Sequence, residues 1–155
     1  MQLYILRHAN ADTEAATDDG RTLSEKGEEQ ARKVAQFCRR HGIQPEVILS
    51  SPLIRAHQTA KPVAKELKVG ITIARWLASG AKPEEILAEL GVLGNFSVVM
   101  LVGHEPDLGK LISHLLGTGA GGSVNVRKAS LTLLEVSELR KGGARLEFSI
   151  PARMM

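Results

Sequence analysis

Four nitrogen-bearing side chains stand out because each follows a short apolar run. Arg7 and His8 come directly after Leu3-Tyr4-Ile5-Leu6, and His104 comes after the apolar residues 97–102 and Gly103. Arg55 lies just beyond Ser50-Ser51, which close the run at residues 46–49. Arginine forks match the oxygens of a phosphoryl group, and a neutral imidazole is a competent nucleophile. Any one of them has an ordinary reading: an Arg-His pair arises by chance, Arg55 suits a solvated helix, and His104 suits the edge of a core. Their shared position at the ends of apolar runs is what sets them apart.

The surrounding pattern supplies elements to hold them. Residues 3–6, 46–49, 71–73 and 97–102 read as strands by length and apolar content. Ser24 reads as the N-cap of a helix carrying Ala31, Val34, Ala35 and Cys38 on one face, with Gly42 just past its end. Ser51-Pro52 reads as a cap with proline at the first helical position, opening a helix to about Leu67 that Pro62 would kink or break. Further helices are expected from Lys82-Pro83 to Gly91 or Gly94, and from Glu105-Pro106 to Leu116. Residues 130–136 and 144–150 read as a hairpin over a Lys-Gly-Gly turn. The expected fold is a three-layer α/β domain spanning residues 1–155. It has a mainly parallel central sheet, helices on both faces and a C-terminal antiparallel hairpin. In such a sheet the carboxyl ends of the parallel strands share one edge, where ligands bind. Two arginines and two histidines would meet there, beside helix N-termini that favour anions.

Composition narrows the class. The 155 residues suit one domain, with 43% hydrophobic and 24% charged residues. Aromatic content of 3% leaves few platforms for stacking bases, and a net charge of +3 without a dense basic run does not call for nucleic acid. One cysteine, Cys38, excludes an internal disulfide and a cysteine-based metal cluster. No run is long and apolar enough for a membrane span, and Met1-Gln2-Leu3 enters a strand without a signal-like segment, so a cytoplasmic chain is expected. The glycines of residues 117–122 match a dinucleotide pattern, but in helix-then-strand order, the reverse of what that pattern requires.

These residues carry a family resemblance. Leu6-Arg7-His8-Ala9 resembles the signature of the histidine phosphatase superfamily, which has the phosphoglycerate-mutase-like fold. Leu23-Ser24-Glu25-Lys26-Gly27 and the four residues after it resemble the helix start that follows. Ser50-Ser51-Pro52-Leu53-Ile54-Arg55-Ala56 and the residues to Ala60 resemble the segment bearing the second arginine. Val102-Gly103-His104-Glu105-Pro106 resembles the segment bearing the second histidine. Small size and Ala9 after His8 are most similar to the SixA-type phosphohistidine phosphatases. The resemblance implies that His8 accepts the phosphoryl group while neutral, with its other ring nitrogen held by a hydrogen bond. It also implies that Arg7, Arg55 and His104 hold the oxygens. No cofactor and no metal are expected.

The substrate is read from the leaving group. An alkoxide needs a general acid, whereas imidazole, with a pKa of about 6.5, leaves readily. No carboxylate falls in residues 74–82. Glu105 follows His104 and is a candidate acid or substrate contact, with a helix-start role as its alternative. Arg21 resembles a basic residue found at this loop position in SixA-type chains and is a second candidate substrate contact, a surface role being its equal. Asn10 departs from the charged residue more usual there. The expected partner is a phosphohistidine-bearing protein or a small phosphorylated substrate, with no nucleic acid or membrane, and the chain is expected to be a monomer. The rival readings are a phosphomonoesterase or mutase of the same superfamily, and a phosphohistidine-binding module without turnover.

Overall fold

A computed structural model describes residues 1–119 and 124–155. The glycine pattern noted at residues 117–122 therefore lies outside the described residues from position 120 to its end. Six strands form one sheet: β1 (Gln2–Arg7), β2 (Val47–Ser50), β3 (Ile71–Ile73), β4 (Val98–Gly103), β5 (Leu131–Val136) and β6 (Ala144–Ile150). Their spatial order is β3-β2-β4-β1-β5-β6. The first four strands run parallel, and β5 and β6 add the antiparallel hairpin.

Strand alternation divides the core in two. Tyr4 and Leu6 of β1, with Met100 and Val102 of β4, pack against α1 (Glu25–Arg40) and α2 (Ile54–Leu67). Leu3, Ile5, Val99 and Leu101 face the opposite way, toward α3 (Pro83–Val92) and α4 (Asp107–Leu115). A strand buried on both faces has no polar side to present, which is why these runs read as continuously apolar. Three layers result, as the sequence pattern predicts.

Register fixes the site. Arg7 lies opposite Gly103, and Ser50 opposite Val102, so β1, β4 and β2 end level with one another. The ladder continues one residue further: His8 N–H donates to Gly103 O at 2.9 Å, and Ser51 N–H to Val102 O at 2.9 Å. These three strands are immediate neighbours, so His8, Ser51 and His104 emerge side by side.

Two helix starts differ from the sequence reading. α2 begins at Ile54, with Leu53 at the cap position, rather than at Ser51-Pro52. Ser51 remains on the sheet edge, and its hydroxyl accepts the Leu53 N–H at 3.3 Å within the turn before the helix. α4 begins at Asp107, with Pro106 as its cap, two residues later than expected. α2 also continues through Pro62 to Leu67 without a break in its span. Ser24 does cap α1, accepting the Gly27 N–H at 3.2 Å. A Cβ on Gly27 would fall 1.9 Å from the Asn10 carbonyl oxygen, so the helix start needs glycine for the chain after His8 to pass this close. Among the described residues, no helix is long and apolar enough to cross a membrane.

Candidate active site

His8 is 6% exposed, and its Nδ1 lies 2.8 Å from the Ala9 carbonyl oxygen. A carbonyl only accepts, so Nδ1 carries the ring proton and Nε2 keeps its lone pair. The pKa of His8 is pushed down to about 3, first by burial and then by His104, Arg55 and Arg7, with the Ala9 carbonyl opposing. The ring is therefore neutral near pH 7. His104, 3% exposed, has its ring centroid 5.2 Å from that of His8. Its pKa is lowered to about 4, first by burial and then by Arg55, with Asp107 and Asp18 opposing and Arg7 adding a smaller push downward. Its Nε2 shares a 2.7 Å hydrogen bond with the Ser51 hydroxyl.

The two arginines are anchored from different elements. Arg7, at the end of β1, donates from Nη1 to the Val126 carbonyl at 2.8 Å. Arg55, in the first turn of α2, is 4% exposed. It donates from Nη1 to the Asp18 carbonyl and from Nη2 to the Asp18 carboxylate, at 2.6 and 2.9 Å. Thr59 ties the elements together: its hydroxyl accepts the Ala9 N–H at 3.0 Å and donates to the Arg55 carbonyl at 2.7 Å. Arg7 Nε, Arg55 Nε and His104 Nδ1 are buried without a protein partner among the described residues. Buried polar nitrogens left unpaired are costly, and a tetrahedral oxyanion offers oxygens in several directions at once. Two guanidinium groups and two neutral imidazoles thus lie together at the strand ends, near enough that both arginines act on both rings.

Comparison with known proteins decides the family. A model described as "Histidine phosphatase superfamily (branch 1)" matches residues 3–78. An uncharacterized protein of Picosynechococcus is 34% identical, over 95% of this chain and 89% of that protein. The phosphohistidine phosphatase SixA of Escherichia coli is 30% identical, over 74% of each chain. The chain belongs to the histidine phosphatase superfamily. A solved structure of the protein histidine phosphatase SixA complexed with tungstate shares the fold with a TM-score of 0.87, at 24% identity over 99% of this chain and 98% of that one. This histidine phosphatase is accordingly of the SixA type in fold and sequence, and its strand ends bring together the four residues that the family resemblance singled out.

The two outlying candidates take definite places in the phosphatase. Arg21 spends its guanidinium on the loop after β1, donating to the Asp12 carbonyl at 2.7 Å, the Ala11 carbonyl at 3.3 Å and the Asp18 carboxylate at 3.2 Å. It braces that loop rather than presenting a free fork. Glu105 accepts the Gly109 N–H at 2.8 Å, the helix-start role, while lying near enough to Arg7 to favour its charged form. Among the described residues, no group of three His, Cys, Asp or Glu side chains is arranged to hold a metal ion.

Several site residues were not legible in the sequence. Asp18 belongs to none of the motifs read there, yet it bridges Arg21 and Arg55, whose hydrogen bonds hold its carboxyl below the usual range. Ser51 read as a helix cap and is instead the partner of His104. Asn10 is a junction: its N–H donates to Gln30, its Nδ2 donates to Ser24, and its Oδ1 accepts from Lys128 at 3.1 Å.

Proposed function

We propose that this phosphatase hydrolyses phosphohistidine on a partner protein through a phosphorylated His8 intermediate. The observation that carries the reading is the His8 ring: buried, neutral, with Nδ1–H held by Ala9, so that Nε2 keeps its lone pair, and with Arg55 and Arg7 near enough to act on it. Nε2 attacks phosphorus and forms an N–P bond as the bond to the substrate imidazole breaks. That imidazole departs with a proton from solvent. Water then attacks the phosphorus of phospho-His8, releasing orthophosphate and restoring the ring. Arg7, Arg55 and His104 hold the three oxygens through both steps, supplying charge stabilisation that is already in place before reaction. The cationic side chains serve the role a metal would otherwise fill.

The acid positions favour an N-phosphorylated substrate. Asp18 is held ionised by two arginines and is a poor proton donor. Glu105 is engaged at the start of α4. A phosphate ester would need one of them as an acid, and phosphohistidine needs neither. The SixA neighbour binds tungstate, a tetrahedral oxyanion, on the same fold.

The test compares kcat/KM on a histidine-phosphorylated protein with that on glycerol phosphate. The N-phosphoryl substrate should be preferred by on the order of 100-fold, the lower end of what a missing general acid costs an ester. Preference for the ester, abolished by Glu105→Gln, would overturn the reading in favour of a phosphomonoesterase.

A further inference from the structure

A second feature adjoins the site. A groove of about 470 Å³ opens from Arg7 and is lined by Lys26, Arg127, Lys128 and Arg153, together with Asn10 and other residues that include no carboxylate and no aromatic ring. The cations arrive from separate parts of the chain: Lys26 from the first turn of α1, Arg127 and Lys128 from the segment before β5, and Arg153 from the C-terminal turn. Scattered surface lysines are usually paired or dispersed. Here, among the described residues, none of the five forms an ion pair, although nine pairs form elsewhere. Lys128 is half-buried, and its ammonium is weakened first by burial and then by Arg7, Arg21 and Lys26. Among the described residues its only hydrogen bond is to Asn10, two residues beyond His8. Like charges gathered without counter-charges raise the free energy of the unbound protein and attract anions.

We propose that this groove docks acidic side chains flanking the phosphohistidine of the substrate protein, and so sets substrate choice. The assignment rests on the phosphohistidine reading above. The groove has far more room than a single oxyanion fills, and it shares Arg7 with the site, so a chain presenting its phosphoryl group to His8 would lay its neighbours along it. Absence of an aromatic lining disfavours nucleotides, which need a stacking surface.

The test uses two histidine-phosphorylated peptides of equal length, one with Asp and Glu flanking the phosphohistidine and one with Asn and Gln. The parent should prefer the acidic peptide in kcat/KM by roughly tenfold, the yield of two or three exposed charge pairs, with the difference in KM and shrinking as salt is raised. In the combined variant Lys26→Glu, Arg127→Glu, Arg153→Glu, that ratio should fall to one or below, with a urea midpoint confirming that the variant folds. The milder variant Arg127→Gln should give an intermediate ratio. Equal turnover of the two peptides by the parent, or a preference that survives charge reversal, overturns the groove assignment alone. Better turnover of a small bisphosphate than of the acidic peptide overturns it too. Turnover of neither peptide overturns both the groove and the phosphohistidine reading.

Discussion

The neutral state of His8 makes a prediction about folding that needs no substrate. In the unfolded chain the imidazole has its ordinary pKa of 6.5, and in the folded protein it is lowered to about 3. Between those values the unfolded chain binds a proton that the folded one refuses, so stability is highest above pH 6.5 and falls as pH drops toward 3. His8→Asn keeps a donor for the Ala9 carbonyl and removes the titration. Loss of ring contacts shifts the variant's stability by an amount that does not depend on pH. The proton term does depend on it: relative to the parent, the variant should gain about 1.4 kcal/mol between about pH 7.5 and about pH 5.5, which is RT ln(1 + 10) less the small value at the upper pH. Urea unfolding at four pH values in phosphate-free buffer measures the difference. The parent itself should lose stability faster still, because His104, lowered to about 4, adds a second proton over the same interval. A parent-to-variant gap that stays constant with pH would mean that folded His8 takes up its proton normally, and the case for a ready neutral nucleophile would fail.

Two further outcomes follow from the site's surroundings. Asp18→Ala frees the Arg55 fork from a carboxylate that competes with oxyanions, so inorganic phosphate should inhibit the variant about 2- to 5-fold more tightly, as befits an exposed charge; unchanged or weaker inhibition would show that Asp18 does not compete. Gly27→Ala should cost about 2–3 kcal/mol by urea unfolding, because the new methyl group meets the Asn10 carbonyl and must displace the chain beyond His8; an unchanged midpoint would contradict the close approach.

What the sequence reveals about this fold follows from how local each signal is. β1, β2 and β4 declare themselves because strands buried on both faces are apolar at every position, and Arg7, His8 and His104 declare themselves by ending such runs. Arg55 is found because its helix follows one of them. Strand order leaves no local trace, since nothing in residues 47–50 says that β4 will insert between β2 and β1. The start of α2 misleads for a related reason: Ser51-Pro52 is a sound local cap, but the Ser51 hydroxyl is taken by His104, 53 residues away. Asp18 meets Arg55 across 37 residues, and the basic groove draws on separate segments of the chain, none of which is densely charged by itself. Contacts of this kind are set by the assembled sheet edge and emerge only with the fold.

The central claim is that the imidazole of His8 carries the phosphoryl group in transit. Rapid-quench trapping with a radiolabelled histidine-phosphorylated protein tests it directly, comparing the parent with His8→Ala. The account predicts an acid-labile, base-stable label that appears on the parent before phosphate release and is absent from the variant. Phosphate release by the parent with no labelled protein at any time, or the same label on His8→Ala, would contradict it.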